Sequence, residues 1–427
     1  MLKDPLKWLM CFILLSPFAN TLYLNENFLD IPGFKPFLVL GFLVFLISLL
    51  NYQKASRMPK YAYYFGLAVI LIFSISIFRS LKHLHIFNRY FNDMYRLNVD
   101  RYLLSFYIKD IIFFLPFVVI IKYANTERNL NRIMDVIYFT IIIFSIHLLY
   151  EYIKVAGNKW SMQDISEYYS DVYLMHRNEL AMFYVCGLPF AVRKYFLNKK
   201  IINLIFILII LASIACLLSR TGYFTAIFAI VAYLTISKRK KMFPVIFIVF
   251  ALVGSTILVS TFVFERATLG FKEKDREVIS AGRIDRIWIP LIEENVSDPK
   301  KFMFGDGRNA IRASDSLLKG RIIFTGNPHN AYIELLIDAG IISLIIIVSY
   351  YYVILRNAFH MLKHTTEAHL KENLYACIVS ILCFLIAGMA GQSFFPRYST
   401  VFLWVVLGCT VASLKLLSYK EMSNVKA

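Results

Sequence analysis

Apolar runs long enough to cross a lipid bilayer recur along the whole chain and constrain its fold more than any other feature. The hydrocarbon core of a bilayer needs a helix of about 20 apolar residues. The chain has about twelve such runs, counted with that window: 6–24, 34–50, 61–78, 103–121, 133–153, 178–195, 201–218, 221–237, 243–263, 330–355, 373–391 and 398–417. Backbone groups in lipid must bond within their own segment, so these runs are expected to be helices. The predicted fold is an all-α polytopic membrane protein.

The composition agrees with this fold class and argues against a nucleic-acid partner. The 427 residues are 59% hydrophobic and 17% charged, whereas a soluble globular protein has about 25% charged residues. The formal net charge of +18 comes mainly from Lys and Arg in the short loops between apolar runs. That distribution is typical of the cytoplasmic loops of membrane proteins.

The cysteines and the first apolar run predict no further modules. The six cysteines lie in or beside apolar runs without a CxxC spacing, so neither a disulfide framework nor a metal site is indicated. The run from Leu6 to Leu24 lacks a clear small-residue cleavage site and is interpreted as the first span. We expect one integral membrane domain over residues 1–427.

The bias of Lys and Arg predicts the orientation of the spans. With the N-terminus inside, nearly every basic loop falls on the inner side. Residues 79–102 are the exception, because they fall outside yet alternate basic and aromatic residues, which suggests a surface-lying amphipathic segment. The outer side also carries 154–177 and one large polar loop, 264–329, in which short helices are expected.

The large outer loop is rich in arginine, which indicates an anionic ligand. The planar guanidinium fork fits a phosphate or diphosphate, although salt bridges to the loop's own acidic residues are the alternative. Arg283 and Arg286 lie three apart and share a helix face. Arg308 follows the turn Phe304-Gly305-Asp306-Gly307, which is not a phosphate-binding P-loop and could simply return the loop to the membrane.

Three shorter polar segments fall on the same side. Arg220 lies in Ser219-Arg220-Thr221-Gly222 between two apolar runs, where an arginine is costly unless it is paired, functional or reaches the headgroups. Arg177 lies in His176-Arg177-Asn178-Glu179, where a helix start capped by Asn178 is the simpler interpretation. Arg397 follows residues 392–396. Each of these arginines is a candidate for an anion site.

The segment Asn327-Pro328-His329-Asn330 is the candidate catalytic element. Its sequence predicts a turn followed directly by a helix, with Asn330 as the N-cap. His329 would then lie at the mouth of a membrane helix, where it could accept a proton near neutral pH or merely cap the helix. Because no HExxH, no GxSxG and no DxD-type pair in an outer loop occurs, metal-independent chemistry is favoured.

These motifs resemble those of the O-antigen ligase/polymerase superfamily. The resembling elements occur in order and at similar spacing over about 200–350: Leu218-Ser219-Arg220-Thr221-Gly222-Tyr223, Gly282-Arg283 with Trp288, Phe304-Gly305-Asp306-Gly307, and Pro328-His329-Asn330 with Glu334 and Ala339-Gly340. The first 150 residues are similar only in hydropathy. The segment around His176 and the last span look more similar to the ligase branch.

The resemblance implies an O-antigen ligase. Such an enzyme transfers O-polysaccharide from undecaprenyl diphosphate to a hydroxyl of lipid A–core oligosaccharide, without metal or other cofactor, at the periplasmic face of the bacterial inner membrane. We expect inversion at the anomeric carbon, because the acceptor would attack directly. His329 would be the base, and Arg220 and Arg283 would bind the diphosphate. The remaining candidates are Arg177 and Arg308 for the diphosphate and Asn330, Arg286 and Arg397 as supporting residues.

Other functions stay open. An O-antigen polymerase would use the same donor, but polymerases often have a second large Arg-rich outer loop, whereas 154–177 is short and has Arg177 as its one arginine. A protein-directed oligosaccharyltransferase usually has a larger soluble C-terminal region. A transporter of lipid-linked sugars is a third class, marked by repeats and ionisable groups within the membrane. We see no repeat, and the spans look nearly free of charge.

Overall fold

A computed structural model describes residues 4–21, 35–90, 98–156, 162–239, 241, 282–322, 326–391 and 393–426. Within these ranges the chain forms α-helices, short 3₁₀ and π turns, and no β-strand. The α-helices, α1 to α18 in chain order, are Pro5–Leu15, Pro36–Leu50, Lys60–Ser80, Leu84–Phe87, Val99–Leu103, Lys109–Ile112, Leu115–Tyr123, Glu127–Ala156, Met162–Tyr173, Arg177–Asn198, Ile201–Cys216, Arg220–Ile236, Ile289–Ser297, Pro299–Phe304, Asp315–Leu318, Ala331–His364, Ala368–Ala387 and Val401–Lys426.

Seven helical stretches in the described part are long and apolar enough to cross a membrane: Lys60–Phe87, Val99–Tyr123, Glu127–Val155, Arg177–Asn198, Ala331–His364, Ala368–Ala390 and Tyr398–Lys420. Four shorter apolar helices coincide with further predicted spans: Pro5–Phe18, Pro36–Leu50, Ile201–Cys216 and Arg220–Ile236. The remaining predicted span, 243–263, lies outside the described residues. The all-α, multi-pass character is therefore confirmed, and the total of about twelve spans stays a prediction.

Helix α10 (Arg177–Asn198) lies at the centre of the bundle and packs against α8, α11, α12 and α17. Gly187 permits its close approach to α8, because an added Cβ would lie 2.2 Å from Cγ1 of Ile141. The Ser380 hydroxyl of α17 donates to the carbonyl of Cys186 at 2.8 Å. Small residues and hydroxyl groups of this kind hold membrane helices together where lipid offers no hydrophobic driving force.

The described part of the large loop, 282–322, folds onto the start of α16 (Ala331–His364). It contains the π turn Ile284–Trp288, helices α13 to α15 and the 3₁₀ turn Ala310–Ala313. These elements share a small apolar core with the first turns of α16, made by Ile287, Leu291, Ile311, Leu317, Ile322, Ile333 and Ile337. The loop is thus fixed to a membrane helix. The expectation of short helices holds for this part, and 264–281 lies outside the described residues.

A break in α16 docks the Gly-rich turn. Gly340 has a φ of 84°, and an added Cβ there would lie 2.3 Å from the carbonyl oxygen of Met303, so only glycine fits. At the same place the carbonyls of Ile337 and Asp338 accept the backbone N–H groups of Asp306 (2.8 Å) and Gly307 (3.0 Å). The turn therefore has a fixed position, and it carries the next residue, Arg308, into the protein.

The described half of the 79–102 segment continues α3 (Lys60–Ser80) through short turns and packs on the same loop. Nη1 of Arg79 donates to the carbonyl of Phe304 at 2.9 Å, and Lys82 and His83 both contact the Asp306 carboxylate. Burial raises the pKa of Asp306, but the hydrogen bonds from His83 and Lys82 outweigh it and hold that pKa well below its usual range. Arg79, Lys82 and His83 thus contact the large loop, and the surface-lying position of the segment stays a prediction.

Polar contacts join segments that the Lys and Arg bias places on the same side. On the predicted inner side, Lys415 contacts Ser56 and Asn125, and Arg239 contacts Glu372. On the predicted outer side, Lys82 contacts Asp306. The two ends of the bundle are therefore built from the two predicted sets of loops.

Candidate active site

A cavity of about 650 Å³ lies at the end of the bundle where the large loop meets the segments around His176 and Arg397. Five cationic side chains line it: Lys35, Lys109, Arg308, Arg312 and Arg397. Two carboxylates, of Asp110 and Glu179, two histidines, His176 and His329, and the phenol of Tyr398 also line it. Cations outnumber carboxylates in the lining, so the cavity favours an anionic ligand.

The turn that carries His329 is held on both sides. The His329 backbone N–H donates to Oδ1 of Asn327 at 2.7 Å, and the Trp288 indole N–H donates to the carbonyl of Pro328 at 2.8 Å. Oδ1 of Asn330 accepts the N–H groups of Tyr332 (3.0 Å) and Ile333 (3.2 Å), which confirms its predicted N-cap role. His329 itself has a φ of 55°, a left-handed conformation that is uncommon outside glycine and is often found at functional sites.

The surroundings of His329 keep its imidazole neutral. Burial, together with the nearby Arg283 charge, lowers the pKa of His329 to about 4, although Glu334 opposes this. The His176 ring lies 6.4 Å away between centroids, and Gly391 lies beside the imidazole on another side. Gly391 has a φ of 127°, which favours glycine. A neutral imidazole in this position can accept a proton from a bound hydroxyl group.

Arg283 reaches the cavity region from the π turn of the large loop. Its Nη1 lies 3.4 Å from the carbonyl oxygen of Ala390, next to Gly391. π turns occur often at functional sites. Arg286 is exposed, and its backbone N–H donates to the carbonyl of Gly282 at 3.1 Å. The two arginines therefore differ in surroundings, although the sequence pairs them.

Arg308 and Arg397 share a buried set of carboxylates on α16. Nη1 of Arg308 lies 2.7 Å from Oε1 of Glu334 and 2.7 Å from Oδ2 of Asp338. Nη2 of Arg397 lies 3.0 Å from the same Glu334 oxygen. Asp338 also accepts the backbone N–H groups of Asn309 (3.1 Å) and Ala310 (3.0 Å). The network fixes both guanidinium groups at the cavity wall.

The segment before α10 differs from the prediction in one detail. His176, and not Asn178, is the N-cap, because its Nδ1 accepts the Asn178 N–H at 3.2 Å. In turn, Oε2 of Glu179 accepts the His176 backbone N–H at 3.1 Å. This reciprocal arrangement is a capping box with histidine in the place of serine or threonine. Asn178 is thereby available to Ser219, whose hydroxyl donates to its Oδ1 at 2.8 Å.

The Ser219–Gly222 motif starts α12 (Arg220–Ile236). Oγ of Ser219 accepts the Gly222 N–H at 3.3 Å, as expected for an N-cap. Arg220 is the first residue of the helix and is half-buried. Because Ser219 also bonds to Asn178, a cavity-lining residue, the motif is connected to the cavity through one side chain.

The structure brings only some of the candidate residues to the cavity surface. Among the described lining residues are His329, Arg308 and Arg397, whereas Arg177, Arg220, Arg283 and Arg286 are not. Asn330 lies buried directly behind His329. Within the described ranges, no three His, Cys, Asp or Glu side chains converge closely enough to hold a metal ion.

Sequence reasoning missed several lining residues. Lys109 and Asp110 lie within the predicted span 103–121, and Glu334 and Asp338 lie within 330–355, so the expectation of nearly uncharged spans is wrong. Ionisable residues inside an apolar run are a functional signal in their own right. That signal was present for Lys109 and also for Lys35, which lies at the start of the predicted span 34–50, whereas Arg312 was one of the many arginines of the large loop and was not singled out.

The fold and the cavity define a multi-pass helical membrane protein with a cation-rich cavity at one end. The family model described as O-Antigen ligase matches residues 205–348, about a third of the chain, and this confirms the resemblance. The matched segment includes Arg220, Arg283, Arg308 and His329. Together with the membrane helices, it supports a glycosyltransferase-like enzyme of the O-antigen ligase/polymerase superfamily. A search among curated proteins gave no match.

Proposed function

We propose that the protein is an O-antigen ligase. It would transfer O-polysaccharide from undecaprenyl diphosphate to a hydroxyl of lipid A–core oligosaccharide, at the periplasmic face of the bacterial inner membrane. The observation that carries the proposal is His329: a neutral imidazole on a constrained turn, in a cation-rich cavity, within the segment that matches the family. The cavity lies at the end opposite the most basic loops, which supports a periplasmic location.

The reaction needs one proton acceptor and one stabilised leaving group. His329 takes the proton of the acceptor hydroxyl while that oxygen forms a bond to the anomeric carbon of the donor sugar. The bond between this carbon and the diphosphate oxygen breaks, and its electron pair leaves with undecaprenyl diphosphate. Direct displacement inverts the anomeric centre. The diphosphate linkage supplies the free energy, so the proposed step uses no nucleotide, metal or other cofactor.

The arginines offset the charge that develops on the leaving diphosphate. Preorganised cations of this kind are often the largest contribution to catalysis. Arg283 lies beside His329 and can present its planar fork to phosphate oxygens, and we keep Arg220 and Arg177 as further diphosphate ligands. Arg308 would act from the cavity wall, where Glu334 and Asp338 fix its orientation. Arg397, Arg286 and Asn330 would support the site.

Donor binding also prepares the base. In the unliganded cavity the pKa of His329 is about 4, which makes it a weak proton acceptor. A bound diphosphate brings negative charge near the imidazole, and nearby negative charge raises a histidine pKa. The base therefore becomes stronger when the donor is present, closer to the pKa that favours proton transfer at neutral pH.

A deletion strain tests the function. Its lipopolysaccharide is compared with wild type on a gel, and lipid-linked O-antigen is probed in parallel. An O-antigen ligase predicts loss of all surface O-antigen, with long chains accumulating on undecaprenyl diphosphate, and recovery with a plasmid-borne copy. A core with one repeat unit would instead identify a polymerase. An unchanged gel would contradict both and favour transport.

A further inference from the structure

Two lysines line the cavity outside the segment that matches the family. Lys35 immediately precedes α2 (Pro36–Leu50), and Lys109 begins α6 (Lys109–Ile112). The proposed transfer step uses neither side chain.

The two lysines lie in one cavity wall, and the Lys109 charge acts on Lys35. Lys109 also lies 6.0 Å from the Tyr398 ring centroid, so it faces the same part of the wall as Tyr398. Asp110 lies next to Lys109 in the same lining and offsets part of this charge, and a bound anion would offset more of it. The pair is therefore suited to a phosphate group.

Several apolar side chains line the cavity together with these lysines, and one of them is well exposed. Leu38, Leu104 and Phe106 line the cavity with them, and Leu104 is 47% exposed. The turn Leu104–Ile108 is a π turn, a local irregularity common at functional sites, and it directly precedes Lys109. Further along α2, Phe42 is 51% exposed. An acyl or polyprenyl chain could leave the cavity over this surface.

We propose that Lys35 and Lys109 form a second anion subsite, which binds the phosphate of a lipid-anchored substrate while the lipid tail leaves over Leu38, Leu104 and Phe106. The identity of that lipid rests on the proposed function, since both the donor and the acceptor of a ligase are phosphorylated lipids. The two lysines lie in the same cavity as Arg308 and Arg397, but the proposed transfer step assigns no role to them.

Binding of undecaprenyl phosphate to the purified full-length protein in detergent tests the subsite. The probe has the lipid tail and one phosphate but no sugar, so no turnover is needed. The variant Lys35→Gln/Lys109→Gln should bind it at least about tenfold more weakly, since two charge-assisted contacts are lost. Lys35→Arg/Lys109→Arg should stay within about threefold of wild type, because the charge is kept. Lys54→Gln/Lys60→Gln, at exposed lysines of a predicted inner loop, is the matched control.

Three results would overturn the proposal. One is equal binding by wild type and the glutamine variant when both elute as folded protein. Another is an equal loss in the Lys54→Gln/Lys60→Gln control. The third is the same loss in Lys35→Arg/Lys109→Arg, which would mean that binding does not depend on the positive charge at these positions. The glutamine variant could bind the lipid phosphate more weakly while the deletion strain keeps its surface O-antigen. That combination would support the subsite and refute only the ligase assignment. Transfer assays with varied donor and acceptor then identify the substrate whose KM rises.

Discussion

Arg193 and Arg308 are both almost fully buried, at 1% and 2% exposure, but they lie at different ends of the bundle. His176, at the start of α10, lines the cavity, and Arg193 lies 17 residues further along this helix, about 25 Å away at the rise of an α-helix. Arg193 donates to Asn373 at 2.6 Å and Asn131 at 2.7 Å, and it lies 3.4 Å from Asp135. Arg308 instead contacts two carboxylates and borders the cavity.

The two buried arginines differ in what their contacts connect. Asn131 is on α8, Arg193 on α10 and Asn373 on α17, so the Arg193 contacts join three helices. Arg308 shares Glu334 with Arg397, and both line the cavity together with His329. We therefore propose a structural role for the buried arginine at one end and a substrate-binding role for the buried arginine at the other. The criterion for assigning one role or the other is whether further functional groups line a cavity together with the arginine.

Replacing the proposed base should have the largest effect. We expect His329→Ala to lower the transfer rate by about 10²–10⁴-fold, the usual contribution of a positioned general base, with donor binding and thermal stability largely kept. The rate is measured with purified protein, lipid-linked O-antigen and lipid A–core. His360→Ala, an exposed histidine at the C-terminal end of α16, is the control and should leave the rate unchanged. Wild-type activity in His329→Ala would exclude the base role.

Replacing the buried cation at the other end should affect folding instead. Arg193→Met leaves the amide oxygens of Asn131 and Asn373 without their charged donor, and we expect a loss of about 2–5 kcal/mol in the free energy of unfolding. The thermal midpoint in detergent measures this loss. Exposed Arg356→Met should change stability by less than about 0.5 kcal/mol.

The comparison also predicts normal turnover per folded molecule in Arg193→Met. If the folded fraction of this variant were as stable as wild type but inactive, the division between a structural end and a catalytic end would be wrong. Activity is therefore normalised to the folded fraction at each temperature.

A charge-preserving change near His329 should have a smaller but measurable effect. We expect Arg283→Lys to lower kcat by about tenfold, because lysine keeps the charge but loses the bidentate geometry for phosphate. Arg321→Lys, at an exposed arginine of the same loop, is the matched control and should be silent. Equal behaviour of the two variants would remove Arg283 from the site.

Hydropathy predicted most of the fold because membrane helices are specified locally. Each run needs only enough apolar residues to span lipid, and eleven of the expected runs are apolar helices in the described residues. The N-cap role of Asn330 was equally local, since the capping oxygen bonds within the next three residues. The organisation as one domain stays a prediction.

The cavity was only partly predictable, because it depends on contacts between distant segments. The local motifs identified His329, Arg308, Arg397 and Glu334, but they did not predict that the two arginines would pair with Glu334 and Asp338. Lys35 and Arg312 reach the cavity through packing that no neighbouring residue encodes. The N-cap of α10 was mispredicted for the same reason, a contact between distant segments. Asn178 bonds to Ser219, 41 residues away, and His176 is the N-cap.

The pH dependence of transfer tests the central claim most directly. Because the neutral imidazole is the active form, activity should be full at high pH and fall as pH drops through the pKa. For kcat/KM, which reports the free enzyme, we predict an acidic limb at about pH 4, set by burial and Arg283. For kcat, which reports the complex, the limb should lie at higher pH, because the bound diphosphate raises the pKa of His329. Arg283→Gln should move the kcat/KM limb upward. Limbs that coincide near pH 6.5, the pKa of an ordinary histidine, and do not move in Arg283→Gln would contradict a base held neutral in a cationic cavity.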